Sequence, residues 1–482
     1  MKQDANESQP AVDYQCTPIS DRMLRQSIVA HHLRLFGVVA TEGLREEVGC
    51  FVHVCDRPDV DEVDAALDTC SRGRVVVAVQ PSVRYCQRLG VTHSSRLHAA
   101  PAVLSVFAKH PVRDQMRPLH CFASYACERA NTLVRDAAGS SVWIEYPSGD
   151  GIIIVIGTDL AGDLVRYRQG DQRAVEHREL APVWGYAGER PNYLFSDQLE
   201  GVDPSQRHAD WMMAALRDAL CNFRPSLVGE ILPEGVAGAI VLTGDDDQAE
   251  LGTYAEQLNH LDGVPITYFL HPKTRHDSAS LQRLRESYRV DLALHPDALD
   301  EPARYTQLLH EQVRWYSALV GEQPSAVRNH GYLNDGYWGH LAAWEAEGLR
   351  WSMNLPGVDG RILNGSLLPA RVATPHVLTH HWSMLTMYGD GMHFALGMSD
   401  ECAATRIHSG ATELKASGVP GVMVANFHPQ NIGQTHAMHA AMKELVRDGF
   451  VAWTVSDCIN WFEARDKIAR SKDSTSARFP RA

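Results

Sequence analysis

Short apolar segments alternate along most of the chain with longer segments whose apolar positions recur at helical spacing. In the first half, the apolar segments at 49–55 and 74–79 predict two buried strands, and the amphipathic stretch between them predicts a helix. Such strand–helix–strand units are typical of α/β folds with largely parallel sheets. We therefore expect an α/β protein.

Further apolar segments continue the first half, and each predicts a strand. The last two, SVWIEY (141–146) and GIIIVIG (151–157), are joined by PSGDG (147–151), a sequence typical of a turn. The earlier ones are VLSVFA (103–108) and LHCFASY (119–125). We predict that residues 21–170 form a flavodoxin-like domain with a doubly wound sheet.

Polar segments flank and separate the two halves of the chain. Residues 1–20 and 466–482 lack apolar periodicity and are predicted to be disordered tails. Residues 171–230 are predicted to be a linker with a connecting helix. Large aromatic side chains have little use in a free linker, so those of this segment are expected to pack against one or both domains. They are Trp184, Tyr186, Tyr193 and Phe195.

The second half repeats the alternation of strand and helix. Its clearest helix is 302–320, which has a proline in its first turn and one apolar stripe. The strand candidates are 238–243, 265–270, 290–294, 326–328, 349–353, 421–427 and 450–455. We predict that residues 231–465 form a distorted (β/α) barrel of about seven strands.

Composition and charge exclude several classes of protein. A hydrophobic fraction of 44% and a charged fraction of 22% are those of a globular protein. The formal charge of −14, without a basic run, argues against a nucleic-acid partner. We find neither a secretory signal nor an apolar run able to span a bilayer, so we expect cytoplasmic residence without membrane insertion. The ten cysteines form no CxxC pair and are expected to be reduced.

Side chains suited to metal binding or acid–base chemistry stand at the ends of several predicted strands. They are Asp245, Asp246, Asp247, His295, Arg328, His330 and His428. Because the carboxyl ends of parallel barrel strands meet on one face, these side chains are expected to converge. Each also has a plainer interpretation: the aspartates as a helix N-cap, the histidines as turn residues, and the arginine as a structural ion-pair partner.

Several of these positions resemble, in order and context, the motifs of the polysaccharide deacetylase family (NodB homology, carbohydrate esterase family 4-like). Residues 243–246, Thr-Gly-Asp-Asp, resemble the first motif of the family, and His295, Arg328 and His428 resemble later ones. The ending GFVAWTVSDCINWF is similar to the closing strand and helix of the family. The resemblance covers residues 236–464. It implies a metal-dependent hydrolase that removes an acyl group, the N-acetyl group foremost, from a carbohydrate.

The resemblance also implies a role for each matching residue. Asp245 would be the general base, and Asp246 and His295 would be ligands of Zn²⁺ or another divalent transition metal. Arg328 would orient the base, and His428 would be the general acid. These roles agree with the chemistry of the groups, since a metal lowers the pKa of its bound water and an imidazole can protonate a departing amine.

The chain departs from the family at the second motif, where Leu299 stands in place of a histidine four residues after His295. One ligand is therefore missing. Asp297 and Asp300 are near in sequence, but we predict His330 as the replacement. It lies two residues after Arg328, and alternation along a strand puts both on one face.

Other functions remain open. The main alternative is a catalytically inactive, deacetylase-like carbohydrate-binding or scaffold protein, which Leu299 supports. A metal-dependent hydrolase of a non-sugar amide is a further one, and the chain leaves a homo-oligomer possible. The group of His376, His380, His381 and His393 is interpreted as part of a substrate-side loop.

The first domain weakly resembles glutamine-amidotransferase-like domains in the order of its strands. An amidotransferase nucleophile needs a tight turn flanked by glycines, and the chain contains no Gly-x-Cys-x-Gly sequence. Cys86 follows a predicted strand without such glycines. We therefore interpret Cys86 as a buried structural thiol.

Overall fold

A computed structural model describes residues 19–44, 51–98, 105–106, 116–119, 121–136, 138–175, 191–195, 206–357 and 360–468. Most of both predicted tails, together with Trp184 and Tyr186, lies outside these residues. Among the helices described, none is long and apolar enough to cross a membrane.

Helices and strands alternate as the sequence predicts. The helices are α1 (Arg22–Leu35), α2 (Val63–Ser71), α3 (Val83–Arg88), α4 (Leu160–Gln169), α5 (His208–Phe223), α6 (Leu251–Leu261), α7 (Ser278–Ser287), α8 (Tyr305–Val320), α9 (Leu341–Ala346), α10 (Asp390–Ala395), α11 (Asp400–Ser417), α12 (His436–Arg447) and α13 (Val455–Ile468). Short 3₁₀ turns occupy Val60–Glu62, Pro191–Phe195, Pro225–Leu227, Pro302–Arg304, His330–Tyr332 and Pro429–Gln434.

The strands belong to two sheets. They are β1 (Ala40–Glu42), β2 (Val52–Asp56), β3 (Val75–Val79), β4 (Thr92–His98), β5 (Ser105–Val106), β6 (Cys121–Ala126), β7 (Asn131–Arg135), β8 (Ser141–Ser148), β9 (Gly151–Ile156), β10 (Ala239–Asp245), β11 (Ile266–Leu270), β12 (Val290–Leu294), β13 (Ala326–Val327), β14 (Trp351–Pro356), β15 (Ala370–Ala373), β16 (Leu378–Thr386), β17 (Tyr388–Gly389), β18 (Val422–Asn426) and β19 (Val451–Trp453).

The first sheet has a parallel half and an antiparallel half. Strands β1, β2, β3 and β9 run parallel, and β8, β6 and β4 continue the sheet in antiparallel order. Helices α1 and α4 cover one face of the parallel half and α2 and α3 cover the other, as in a doubly wound domain. The antiparallel half departs from the predicted flavodoxin-like sheet.

The turn between β8 and β9 explains that departure. Only Gly149 and Asp150 separate the paired residues Ser148 and Gly151, and Gly149 has a φ of 57°. A parallel pair needs a crossover connection of a dozen or more residues, so a turn this short forces β8 and β9 to be antiparallel.

The second sheet curls back on itself. Strands β14, β13, β12, β11, β10 and β18 are neighbours in this order and run parallel. Only Met387 separates β16, which pairs with β14, from β17, which pairs with β18. The continuous segment of β16 and β17 therefore links the two ends of the sheet, as in a (β/α) barrel. The mixed α/β class with largely parallel sheets is confirmed.

The two faces of this sheet contribute to different cores. On β10, Ile240 and Leu242 face outward and pack in one cluster with the surrounding helices, including α6, α8, α11 and α12. Residues near the amino ends of the strands, such as Ala239, Trp351 and Val422, share a continuous core with α1, α5 and α13. These helices thus cover the amino end of the barrel, and the carboxyl ends stay available for a site.

Several smaller expectations agree with the structure. Helix α8 and the 3₁₀ turn before it span the predicted helix at 302–320, and Tyr193 and Phe195 of the linker are only 1% and 7% exposed. Every cysteine with a described environment is unpaired. Burial raises the pKa of the Cys86 thiol to about 12, which fits a structural thiol and not a nucleophile.

Helix α1 is held between the two sheets by buried polar contacts. The Arg25 guanidinium pairs with Asp56 at 2.7 Å, which ties α1 to the first sheet. On the other side, His31 Nδ1 lies 3.2 Å from Asp466 Oδ1, and His31 Nε2 accepts the Arg371 backbone N–H at 3.1 Å. A ring nitrogen that accepts this N–H cannot carry a proton, so His31 has to be neutral.

We predict that acid destabilises the fold through such neutral histidines. Burial lowers the pKa of His31, His381 and His439 to about 4, below the ordinary value of 6.5. The unfolded chain then binds more protons than the folded one, so stability is lost as pH falls from about 6.5 to 4. The loss should be about 1.4 kcal/mol per pH unit for each such histidine.

Urea unfolding at several pH values measures this loss. His381→Gln should flatten the dependence of the unfolding free energy on pH, whereas His310→Gln, at an exposed histidine, should leave it unchanged. A free energy of unfolding that stays constant over this range would contradict the prediction.

Candidate functional site

The carboxyl ends of the barrel strands carry the polar side chains that the sequence analysis selected. Asp245 is the last residue of β10, His295 directly follows β12, Arg328 directly follows β13, and His428 lies two residues beyond β18. All four are buried or nearly so. The parallel strands bring them together at one end of the barrel, as expected.

Asp245 is the best anchored carboxylate of the site. Its Oδ1 accepts a bond from Arg328 Nη1 at 2.8 Å, and its Oδ2 accepts one from Asn426 Nδ2 at 2.8 Å. Burial acts to raise the pKa of Asp245, but the charges of Arg328, His295 and His428 together outweigh it and hold the pKa below its ordinary value. Asp245 is therefore an oriented carboxylate that stays ionised near neutrality.

The Arg328 guanidinium is fully buried and fixed on several sides. Its Nη2 donates to Thr243 Oγ1 at 2.9 Å, and its Nε donates to the carbonyl oxygen of Met353 at 3.3 Å. The guanidinium carbon also lies 4.3 Å from the centre of the Phe269 ring. Arg328 can thus hold Asp245 in one orientation, in agreement with its predicted role.

The structure does not bring Asp246, the predicted metal ligand, to the histidines. The side chain is fully buried and accepts bonds from the Tyr254 hydroxyl and, at 3.4 Å, from the His271 backbone N–H. Burial raises the pKa of Asp246 above its ordinary value. These contacts tie β10 to the helix that follows it, which is a structural role.

Asp247 occupies the place that the sequence analysis expected for Asp246. Ligand-type atoms of Asp247, His295 and His330 all lie within 4.8 Å of one another. Asp247 Oδ1 is 3.3 Å from His295 Nε2 and 3.8 Å from His330 Nε2. The backbone turns to make this possible, since Asp247 has a φ of 40° and Gln248 a φ of 64°. The predicted grouping of His295 with His330 is therefore present, with a different carboxylate.

The aspartates do not serve as a helix N-cap. Helix α6 begins only at Leu251, its N-cap Glu250 makes no side-chain capping bond, and its first turn holds no acidic residue. The plainer interpretation of the acidic triplet is therefore wrong.

Two buried atoms of the group lack a hydrogen-bond partner among the described residues: Asp247 Oδ1 and His295 Nε2. His295 Nδ1 donates to the Arg328 carbonyl oxygen at 2.6 Å, which leaves its Nε2 as the nitrogen with a lone pair. Burial alone would raise the pKa of Asp247, but the hydrogen bonds and charges of His295 and His428 in their protonated forms outweigh it and hold the pKa well below the ordinary range. A cation that binds the His295 Nε2 lone pair displaces the proton from this nitrogen. An anionic oxygen facing free imidazole nitrogens is a donor set that suits a divalent cation.

His428 also lies close to Asp245 and has a carboxylate partner of its own. Its Nε2 is 3.8 Å from Asp245 Oδ2 and 3.4 Å from Asp247 Oδ2. Its Nδ1 is 2.5 Å from Asp390 Oδ1, and its backbone N–H donates to Asp390 Oδ2 at 2.8 Å. Burial acts to lower the pKa of His428, but the charges and hydrogen bonds of Asp390 and Asp247 together outweigh it and raise the pKa well above the ordinary value. His428 can therefore hold a proton at neutral pH.

The sequence analysis did not identify Asp390, Asn426 or His271 as members of the site. Asp390 follows β17 directly and Asn426 is the last residue of β18, so both stand at strand ends as the selected residues do. His271 directly follows β11. The rule of strand-end convergence, applied to every predicted strand, would have found Asn426 and His271; Asp390 also required the short β17 to be recognised.

The histidines interpreted as a substrate-side loop do not lie together there. His376 is in the turn between β15 and β16, and His380 and His381 are near the amino end of β16, away from the carboxyl ends. His381 is buried and its Nδ1 donates to the Leu349 carbonyl oxygen at 2.9 Å. Only His393, in α10 next to Asp390, lies on the side of the site, and it too is buried.

Among known proteins, only solved structures match the chain. No protein-family model matches the chain, and no curated protein matches it. Among solved structures, the allantoinase PuuE is 14% identical with a TM-score of 0.37, and the match covers 51% of this chain and 94% of that one. Scores this low leave the function to be inferred from the residues of the site.

Two further matches are with deacetylases. The peptidoglycan deacetylase PdaC from Bacillus subtilis is 12% identical with a TM-score of 0.32, over 51% of this chain and all (100%) of that one. The chitin deacetylase from Colletotrichum lindemuthianum is 15% identical with a TM-score of 0.31, over 47% of this chain and 88% of that one. Each match spans about half of the chain.

We predict that Asp247→Asn loses bound zinc and that Asp246→Asn keeps it. The first change replaces an anionic oxygen of the ligand group with a neutral amide. The second removes a buried acceptor of the His271 N–H and should cost about 1–3 kcal/mol of stability instead. Elemental analysis after equilibration with zinc, together with urea unfolding, measures both. Loss of zinc from Asp246→Asn alone would restore Asp246 as the ligand.

Proposed function

We propose that the chain is a metal-dependent hydrolase that removes an acyl group, the N-acetyl group foremost, from a carbohydrate. The observation that carries the proposal is the position of Asp245. Its Oδ2 lies 3.9 Å from Nε2 of His295, a member of the ligand group, and 3.8 Å from Nε2 of His428. A carboxylate base within reach of both a cation site and an acid suits the hydrolysis of an amide or ester.

Asp247, His295 and His330 would hold the metal. They offer one carboxylate and two imidazoles, and such a set leaves positions open for water and substrate, as in a catalytic zinc site. The unpartnered Asp247 Oδ1 and His295 Nε2 fit this role. When bound, a divalent ion supplies polarisation of the acyl oxygen and a lowered pKa for water.

Asp245 would accept the proton of the attacking water. The contacts with Arg328 and Asn426 keep the carboxylate ionised and aimed, so that the water oxygen can add to the acyl carbon as its proton passes to Asp245. Arg328 itself faces Asp245 and not the solvent, so it acts by orienting the base.

His428 would donate the proton that the leaving group needs. The raised pKa keeps its imidazole protonated, and the Asp390 contact at Nδ1 leaves Nε2–H directed to the side where Asp245 and Asp247 lie. When the C–N or C–O bond to the acyl carbon breaks, this proton passes to the departing nitrogen or oxygen.

The carbohydrate substrate rests on the motif resemblance of residues 243–246, His295, Arg328 and His428. The inactive scaffold was supported by Leu299, which leaves the ligand set one histidine short. Because His330 now stands near His295 and Asp247, that support is weakened. We do not favour the scaffold.

The proposal is tested by metal-dependent release of acetate. Purified protein with about one zinc per chain should release acetate from N-acetylated oligosaccharides, should lose this activity on chelation, and should regain it with zinc. Asp245→Asn should reduce kcat by at least about 100-fold while its zinc content stays unchanged. A protein that takes up zinc but hydrolyses neither acylated sugars nor simple acyl esters and amides would favour the scaffold.

We further predict that Asp390→Asn impairs the acid. The amide keeps the shape of the side chain but removes the charge that holds the proton on His428. We expect kcat to fall by about 10- to 1000-fold with unchanged zinc content. In a His428→Ala background the same change should add little, because Asp390 acts through His428. Equal effects in both backgrounds would show that Asp390 acts independently.

A further inference from the structure

His330 belongs to two groups of ligand-type side chains. One is the group with Asp247 and His295, and the second consists of His271, Asp297 and His330, whose ligand-type atoms also lie within 4.8 Å of one another. The second group could hold an ion of its own or could serve the first group. The direction of its hydrogen bonds distinguishes the two cases.

The proton of His271 is on its Nε2. The backbone N–H of Lys273 donates to His271 Nδ1 at 3.1 Å, so this nitrogen is the acceptor. In the neutral ring the other nitrogen carries the proton. His271 Nε2 lies 3.2 Å from Asp297 Oδ2, to which it donates. A nitrogen that donates a proton to a carboxylate is not available to an ion.

Asp297 also accepts a hydrogen bond from His330. Its Oδ1 lies 3.2 Å from His330 Nδ1, which places the proton of His330 on Nδ1 and the lone pair on Nε2. His330 Nε2 is the nitrogen that lies 3.8 Å from Asp247 Oδ1. A carboxylate behind a histidine is the usual means of orienting a metal-binding imidazole.

Asp297 is itself held in place by hydrogen bonds with α8 and with its own loop. Its backbone N–H donates to Gln312 Oε1 at 2.8 Å, and Gln312 Nε2 donates back to the Asp297 carbonyl oxygen at 2.7 Å. Asp297 Oδ1 also accepts the Leu299 N–H at 3.2 Å. His330 is half exposed, with 32% of its side chain accessible, so it depends on such a fixed partner for its orientation.

We propose that Asp297, oriented by His271, is a positioning residue that makes His330 a metal ligand, and that the second group is not a second ion site. The inference rests on the metal site of the proposed function. It concerns metal affinity and not hydrolysis, so each can fail without the other. Lys273 agrees with it, because its Nζ lies 3.9 Å from Asp297 Oδ2 and would repel a cation in the second group.

Zinc affinity, measured by competition with a chelator on the full chain, tests the proposal. Asp297→Ala should weaken zinc binding by about 10- to 100-fold, and Asp297→Asn, which keeps the shape, should weaken it less. His271→Ala should weaken binding in the same direction and leave about one zinc per chain. The matched control is Asp300→Ala, which removes an exposed carboxylate of the same loop and should change nothing.

A double-mutant cycle separates positioning from a general loss of structure. In a His330→Ala background, Asp297→Ala should cause no further loss of zinc affinity, since Asp297 acts through His330. Thermal unfolding of the metal-free variants verifies that they are folded. An equal loss in both backgrounds, a zinc content that falls from two to one in His271→Ala, or a wild-type chain that binds no zinc would overturn the proposal. Normal zinc coupling without acyl hydrolysis would overturn the proposed function and leave the positioning role intact.

Discussion

The ion pair of Arg328 with Asp245 is the contact on which the site depends. Both side chains are almost fully buried, at 0% and 4% exposed. A buried guanidinium is tolerated only when its donors are satisfied, and losing one partner of such a pair typically costs about 3–5 kcal/mol. Here the remaining donors are met by Thr243, Thr386 and the Met353 carbonyl oxygen, which come from β10, β16 and β14. The pair therefore links the curled sheet across its interior as well as orienting the base.

The segment from Arg328 to His330 also orients the histidines of the ligand group. The Arg328 carbonyl oxygen accepts the Nδ1 proton of His295 and so leaves Nε2 free. His330, two residues later, has its own backbone N–H bonded to the Pro296 carbonyl oxygen at 2.9 Å, in the loop that follows His295. The orientation of Asp245 and of two imidazoles thus depends on the segment from Arg328 to His330, which follows β13 and is bonded to the loop after β12. Because the two loops are bonded to each other, His330 lies close to His295 although it follows a different strand.

The sequence predicted those parts of the fold and site that depend on periodicity. Helix α8, most of the parallel strands and the convergence of Asp245, His295, Arg328 and His428 follow from apolar patterns and from parallel strand direction, whereas β4, β7 and the segment from β15 to β17 were not predicted. The choice between Asp246 and Asp247 depended instead on the motif resemblance, which favoured Asp246. Alternation from Asp245 favours Asp247. The left-handed φ of Asp247 and Gln248 turns the Asp247 side chain toward the histidines. Such a conformation cannot be read from the sequence when the residue is not glycine.

The sequence also did not predict which carboxylates lie next to the histidines when the two are far apart along the chain. Asp390 is far from His428 in sequence and reaches it because β17 pairs with β18, in a register of Tyr388 with Ala425 that no local pattern predicts. His271 and Asp297 likewise come from the ends of neighbouring strands β11 and β12. In both cases a carboxylate lies behind an imidazole, and its hydrogen bond sets which ring nitrogen carries the proton. The proposed ligand His330, half exposed and beyond its strand, has the greatest need of such a partner.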